Sequence, residues 1–303
     1  MLSFYSHGKL LITAEYAVLA GAKALAIPCK KGHHLNFQSE NKSKELSWDS
    51  YDFEGKKWFE VDFHLPSLEI MKSSDQNTAK KLQKILIFAT KENPFFLLEG
   101  GKVKTYLEFN NLWGLGSSSS LIVNIALWAK INPFKLLNSS FGGSGYDVAC
   151  GLADGPILYS KKQNNPKVKS ISLSPIFFEK LYFVYLNKKA DSQKAVQDFD
   201  LNKVNPEIIK KLDNLTEEMS STIDINKFEN AMEEHEKIIG SMINKRPIKD
   251  VLFSNFTGSI KSLGAWGGDF ILVTENKDRD TEKYFKEMGY NTVIPWKEMS
   301  LVH

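Results

Sequence analysis

Residues 103–129 read VKTYLEFNNLWGLGSSSSLIVNIALWA, and three kinds of pattern follow one another within them. Val103, Thr105, Leu107 and Phe109 alternate with Lys104, Tyr106 and Glu108, the two-residue period of a strand. Leu121–Ala129 is apolar apart from Asn124, which predicts a helix buried on most sides. Between strand and helix lies Gly114-Leu115-Gly116-Ser117-Ser118-Ser119-Ser120. Glycines let a backbone approach a ligand closely, and the first N–H groups of a helix have no partner within it. With the helix dipole they form an anion site, to which serine hydroxyls add hydrogen bonds or a Mg²⁺ ligand. A serine run that merely caps the helix is the competing reading, because serine is favoured there anyway.

Outward from this stretch the pattern stays mixed. Leu10–Pro28 is mostly apolar, and His33–Phe63 reads as short strands joined by polar turns. Thr78–Glu92 carries Leu82, Ile85, Leu86 and Ala89 at helical spacing. Beyond, Leu181–Leu186 is a strand and Asn226–Asn244 a helix, with a short helix near Val251. The strand Phe270–Val273, a helix over Asp280–Met288 and a strand near Thr292–Ile294 complete an α+β chain. Its 303 residues suit two modest domains. The polar, proline-bearing stretch Lys161–Ser170 places the boundary, giving domains over 1–165 and 166–303.

Composition narrows the function classes. At 42% hydrophobic and 12% aromatic residues the chain can build real cores. Its 39 basic and 36 acidic residues leave +3, without the basic stripe expected of a nucleic-acid partner. Cys29 and Cys150 suggest neither a disulfide framework nor a metal spacing. No signal peptide and no run of about 18 apolar residues is visible, so a cytoplasmic protein without a membrane span is expected. The six histidines, His33 and His34 among them, form no ligand set and read as surface residues.

Two further segments carry chemistry. In Gly142-Gly143-Ser144-Gly145-Tyr146-Asp147 a carboxylate follows small residues, where it could accept the proton of a substrate hydroxyl or cap the run Val148–Leu152. Gly264-Ala265-Trp266-Gly267-Gly268 precedes the strand Phe270–Val273, and is either a close approach to phosphate or an ordinary turn. The P-loop and protein-kinase signatures are absent. Phosphoryl transfer nevertheless needs a phosphate cradle, a cation and a group that positions the nucleophile, and the three segments together could supply them.

On these residues the chain resembles the GHMP kinases. Gly8-Lys9-Leu10-Leu11-Ile12-Thr13-Ala14-Glu15-Tyr16 is similar to that family's first motif, Gly114–Ser119 to its phosphate loop, and Lys261–Asp269 to its third motif. The resemblance implies two α+β domains, an amino-terminal one like ribosomal protein S5 and a carboxy-terminal ferredoxin-like one. It implies ATP and Mg²⁺, a small-molecule acceptor, and a monomer or homodimer. Lys9 would neutralise charge on the moving phosphoryl group, and Asp147 would act as base or orient the hydroxyl. Gly114, Leu115, Gly116, Ser117, Ser118 and Ser119 would bind the nucleotide, with Ser118 also approaching Mg²⁺. Glu15, Tyr16, Ser144, Gly145, Gly264, Ala265 and Gly267 would lie on the acceptor side, Glu15 beside the acceptor or organising Lys9. Gly143–Ala149, Gly267-Gly268-Asp269 and Tyr185–Val196 are similar to the phosphomevalonate kinases within the family. The implied acceptor is phosphomevalonate, then mevalonate, with Lys188, Lys189 and Lys194 as candidate extra cations.

The sequence departs from the family at His7, Asn110 and Trp266, which stand where proline, proline and glycine are usual. Leu136 falls near the place of a magnesium-binding glutamate. A non-catalytic nucleotide- or metabolite-binding regulator on the same scaffold is the alternative, and a related decarboxylase a third.

Overall fold

A computed structural model describes residues 1–162, 165–174 and 176–302. The chain begins with strands β1 (Leu2–Leu11), β2 (Ala24–Ser39), β3 (Glu45–Tyr51), β4 (Lys57–His64) and β5 (Glu69–Ser73). Helix α1 (Gln76–Glu92), strand β6 (Gly101–Leu107) and helices α2 (Ser117–Ala129), α3 (Pro133–Ser140) and α4 (Tyr146–Gly151) follow. Then come β7 (Ile157–Lys162), β8 (Asn165–Ser170), β9 (Leu181–Tyr185), α5 (Ser192–Gln197), α6 (Pro206–Ser221) and α7 (Ile225–Ile243). The last elements are α8 (Ile248–Leu252), β10 (Ile260–Ser262), β11 (Phe270–Thr274), α9 (Thr281–Glu287), β12 (Val293–Pro295) and α10 (Trp296–Met299). Among the described residues no helix is long and apolar enough to cross a membrane.

Two compact units result. The first comprises Met1–Gly8, Lys31–Asn111 and Leu115–Leu152. Its strands lie in the order β5-β4-β3-β6-β2, with β3 parallel to β6 and the other neighbours antiparallel. Alternation decides which face is buried: Leu46 and Trp48, Phe59, Val61 and Phe63, and Val103 point inward under α1, α2 and α3. Full burial of side chains this large stabilises by about 1.5–3 kcal/mol each. Helix α1 starts where Asp75 accepts from the Thr78 N–H, and α3 where Asn132 accepts from Phe134 and Lys135.

The second unit comprises Lys9–Lys30, Leu112–Gly114 and Ala153–His303. Of the stretch Lys161–Ser170, which the sequence offers as a boundary, Lys161 and Lys162 end β7 and Asn165–Ser170 form β8 of this unit, two strands that pair residue for residue, and residues 163 and 164 lie outside the described residues. Residues 24–26 of β2 continue that ladder against β7. The elements β9, α5–α8, β10, β11, α9 and β12 form an antiparallel sheet of order β10-β11-β9-β12. That β-α-β-β-α-β succession is ferredoxin-like. Val184, Ile271 and Val273 from the sheet pack with Phe253, Phe256, Tyr284 and Phe285.

Candidate functional site

In the first unit the site is built around the start of α2. Gly116 caps the helix in the left-handed conformation at φ 86° and ψ 42°, so a side chain there would be strained and glycine is fitting. Ser118 is exposed, whereas Ser119 and Ser120 are buried. The buried hydroxyls turn back on their own helix: Ser119 Oγ donates to Gly116 O at 2.9 Å and Ser120 Oγ to Ser117 O at 3.0 Å. With its proton on Ser117, Ser120 Oγ offers a lone pair to His33 Nδ1 at 3.1 Å. Burial holds His33 down to about 4, so the ring is neutral at ordinary pH. Ser6 Oγ donates to Ser120 O, and Asn124 Nδ2 donates to His33 O, so β1, β2 and α2 are stitched together beneath the loop. Gly8 serves the same packing: a Cβ there would stand 3.2 Å from Leu115 O.

Asp147 also belongs to the first unit, in the first turn of α4, half-buried. Gly142, Gly143 and Gly145 before it all have positive φ, and a Cβ at Gly142 or Gly143 would meet nothing within 4 Å. Asp147 Oδ1 accepts from the Val148 N–H at 3.0 Å, which fixes the carboxylate against the helix start. Ser144 and Gly145 are buried beside it in sequence.

The second unit gathers Lys9, Glu15, Tyr16, Gly114 and the turn Gly264–Asp269. Ala14 and Tyr16 both have φ 61°, in the left-handed region that such residues avoid. Tyr16 is the centre of a γ-turn, closed by Ala17 N–H to Glu15 O at 2.6 Å. Strain of this kind persists only where neighbours over-determine it. Here Ala14 N–H donates to His235 Nε2 at 2.8 Å, and Tyr16 OH donates to Ala265 O at 2.6 Å. Burial first, then the Glu15 charge, pushes the Tyr16 phenol up to about 12, so it remains a donor.

Glu15 itself is wholly buried and pairs with the ammonium of Lys261, which is also wholly buried. Burial pushes the Glu15 carboxyl upward, and Lys261 opposes that shift. Lys261 Nζ also donates to Ser262 O, and Glu236 accepts from the Ser262 N–H and hydroxyl. Thus α7 and β10 together hold the strained turn. The histidine expectation is corrected here: His33 and His235 are buried, because each supplies a neutral ring nitrogen to a group in the interior.

Asp269, at φ 54°, ends the glycine turn. Trp266 is buried, and its indole lies on α7, with Cη2 3.4 Å from where a Cβ of Gly240 would stand. Gly264, at φ 60°, faces open space.

No family model matches the sequence, and no curated protein does. Solved structures match it along its length. Phosphomevalonate kinase from Streptococcus pneumoniae, in complex with phosphomevalonate and AMPPNP, is similar at a TM-score of 0.70 and 17% identity, covering 100% of this chain and 99% of that one. The mevalonate kinase of Methanococcus jannaschii is similar at a TM-score of 0.67 and 16% identity, with 96% of each chain covered. The galactokinase of Lactococcus lactis, complexed with galactose, is similar at 0.66 and 12%, over 99% of this chain and 93% of that one. The fold is that of the GHMP kinases.

Within the GHMP fold the sequence-predicted residues are distributed as follows. The first unit holds Leu115, Gly116, Ser117, Ser118, Ser119, Ser144, Gly145 and Asp147; the second holds Lys9, Glu15, Tyr16, Gly114, Gly264, Ala265 and Gly267. Ser118 is exposed, while the hydroxyl of Ser119 is turned onto Gly116. Glu15 faces Lys261 rather than an open surface. Lys261, His235, Glu236 and Asp269 are site-building residues to which sequence reasoning gave no role. Asp269 and Lys261 stood in plain view at the two ends of the third motif. His235 could have been found by spacing, since Phe228, Met232, His235, Ile239 and Met242 fall on one face of α7.

Leu136 is wholly buried. Among the described residues no three His, Cys, Asp or Glu side chains cluster as a metal set. The donors present fit a magnesium ion that keeps most of its ligands from phosphate and water, with one hydroxyl from Ser118.

Proposed function

We propose that this chain is an ATP-dependent kinase of a small hydroxylated or phosphorylated acceptor. The acceptor we favour is a mevalonate-pathway intermediate, phosphomevalonate ahead of mevalonate. The observation that carries the reading is the glycine-capped start of α2, with left-handed Gly116 and an exposed Ser118. An anion met there would find backbone N–H groups and the positive end of a buried helix. The likeness in fold to kinases of phosphomevalonate, mevalonate and galactose supports it, and Gly267-Gly268-Asp269 favours the first of these.

In this reading Gly114, Leu115, Gly116, Ser117 and Ser119 hold the triphosphate mainly through their backbone. Ser118 adds its hydroxyl to Mg²⁺. The ion, when bound, neutralises phosphate charge and so favours attack by a nucleophile. Asp147 accepts or orients the proton of the acceptor hydroxyl. Lys9 stabilises charge on the transferring group, an interaction strongest as that group moves. Tyr16, Ser144, Gly145, Gly264, Ala265 and Gly267 form the acceptor side, and Glu15 acts through Lys261.

The test is release of ADP from Mg-ATP with mevalonate, phosphomevalonate, homoserine and galactose offered in turn. Turnover with phosphomevalonate or mevalonate supports the assignment, and turnover with galactose alone moves the acceptor to the sugars. ATP binding without turnover on any of the four removes the kinase reading.

A further inference from the structure

Asp269 meets two other segments of the second unit. Its backbone N–H donates to Lys188 O at 2.7 Å, and its carbonyl accepts from the Leu186 N–H at 2.8 Å. These bonds carry the β9–β11 pairing past the strand ends. A Cβ on the neighbouring Gly268 would stand 2.7 Å from Lys188 O and 2.9 Å from Ala190 N, so the 186–190 backbone lies directly on the glycine turn. The side chain then adds a third tie, Oδ1 accepting from the Ala190 N–H at 3.0 Å. On its other side the carboxylate lies against the Gly114 backbone: a Cβ there would fall 2.2 Å from Oδ2, a distance no side chain tolerates. Lys9 and Lys189 both act on the carboxylate electrostatically, against a burial that pushes its carboxyl upward.

We infer that Asp269 is a positioning residue, whose carboxylate fixes the 186–190 loop against the Gly114 backbone before an anionic ligand arrives, its charge acting together with those of Lys9 and Lys189. An ordinary left-handed aspartate ending a turn explains the φ of 54°, because aspartate tolerates that conformation. It does not explain why the carboxylate reaches another segment, abuts a glycine of the phosphate loop, and stands within the field of two lysines. A negative charge in the field of two cations offsets part of their mutual repulsion. A fixed carboxylate supplies that offset ahead of binding. The inference rests on the kinase reading for what the lysines serve, and on the geometry alone for the clamp.

Two variants separate the parts. Asp269→Asn keeps an oxygen for the Ala190 N–H and the fit beneath Gly114, but loses the charge. Asp269→Ala loses both. In Asp269→Ala the Ala190 amide should exchange its hydrogen about 10-fold faster than in the native protein, while in Asp269→Asn it stays protected. With Mg-ATP and phosphomevalonate, Asp269→Asn should lower kcat about 10-fold and leave the KM for ATP within about two-fold. Asp269→Ala should in addition raise the acceptor KM. Native exchange at Ala190 in Asp269→Ala overturns the clamp, and native kcat in Asp269→Asn overturns the electrostatic part. If the native protein releases no ADP with any acceptor, the kinase reading falls, and hydrogen exchange by itself decides the clamp.

Discussion

At Gly114–Ser120 the hydroxyls of Ser119 and Ser120 turn back on carbonyls one helical turn away, whereas at Gly264–Asp269 the anchors come from distant sequence. Tyr16 holds Ala265, the Trp266 indole lies over Gly240, and Ala190 donates to Asp269. The first turn is shaped by a helix start, a local object that leaves Ser118 exposed. The second is shaped by partners that converge only when its unit is folded. A phosphate cradle made of backbone N–H groups needs only glycine and a helix. A turn that must place lysines and a tyrosine needs side chains on every flank. The difference teaches that a turn built on a helix start needs little beyond its own residues to be preorganised, whereas a turn of the second kind depends on side chains from distant segments.

The largest effect is expected where chemistry is proposed. Asp147→Asn should lower turnover by about 10²–10⁴-fold while ATP affinity stays near native. Steady-state ADP release and ATP titration check it together. A turnover near native would leave both turns without a reaction to serve, and the contrast between them would be only structural.

Next in size is the brace behind the second turn. Lys261→Met removes the partner of a wholly buried carboxylate and should cost about 3–5 kcal/mol in urea denaturation. The double variant Lys261→Met with Glu15→Gln should be more stable than that single one, because no buried charge is left unpaired. The pH dependence has a definite sign. Burial raises the Glu15 carboxyl, and loss of Lys261 removes a group that lowers it. The folded variant then keeps a proton that the unfolded chain releases, so its stability is fullest below the ordinary glutamate range and falls as pH rises. Its deficit should be smaller at pH 5 than at pH 8.

These two regions also differ in how far they could be read from sequence. Strand β6, the glycine-serine loop and the buried helix α2 follow from local pattern, and the structure matches them. The helix expected over Asn226–Asn244 is α7 at Ile225–Ile243, and the strand expected at Phe270–Val273 is β11 at Phe270–Thr274. What local pattern could not show is long-range. Glu233-Glu234-His235-Glu236-Lys237 is a run of polar residues, yet His235 and Glu236 are buried, where they accept from Ala14 and Ser262. Helix α6 drew no notice because, of its sixteen residues, only Leu212, Thr216 and Met219 are buried. Trp266 looked like an intrusion into a glycine motif. Its indole is accommodated by a glycine on α7, a pairing visible only in three dimensions.

Trp266→Gly sharpens that last point. Glycine at this position relieves a left-handed residue at φ 59°, a gain of about 1–2 kcal/mol. It also empties the space over Gly240, where loss of a large aromatic side chain costs about 3–5 kcal/mol. The net should be a loss of about 1–4 kcal/mol in thermal or urea unfolding. A variant as stable as the native protein would mean that the indole contributes no packing, and that the second turn is as self-sufficient as the first.

The smallest effect separates two adjacent serines. Ser118 is exposed and Ser119 is turned inward, although the sequence treats them alike. Ser118→Ala removes a hydroxyl proposed to meet Mg²⁺, an interaction with a charged partner worth about 1.5–3 kcal/mol, so the KM for Mg-ATP should rise about 10-fold or more. Ser119→Ala removes only a hydrogen bond to Gly116 O at the helix cap. It should cost about 1 kcal/mol of stability and leave the KM for Mg-ATP within about two-fold. The pair is decisive because the two variants delete the same atom from consecutive residues of one helical turn. Equal effects on KM would mean that the loop grips nucleotide through both hydroxyls, and that the back-bonded arrangement of Ser119 gives way when ligand binds. Unequal effects in the stated order would confirm that the cradle works through its backbone, with a single hydroxyl directed outward.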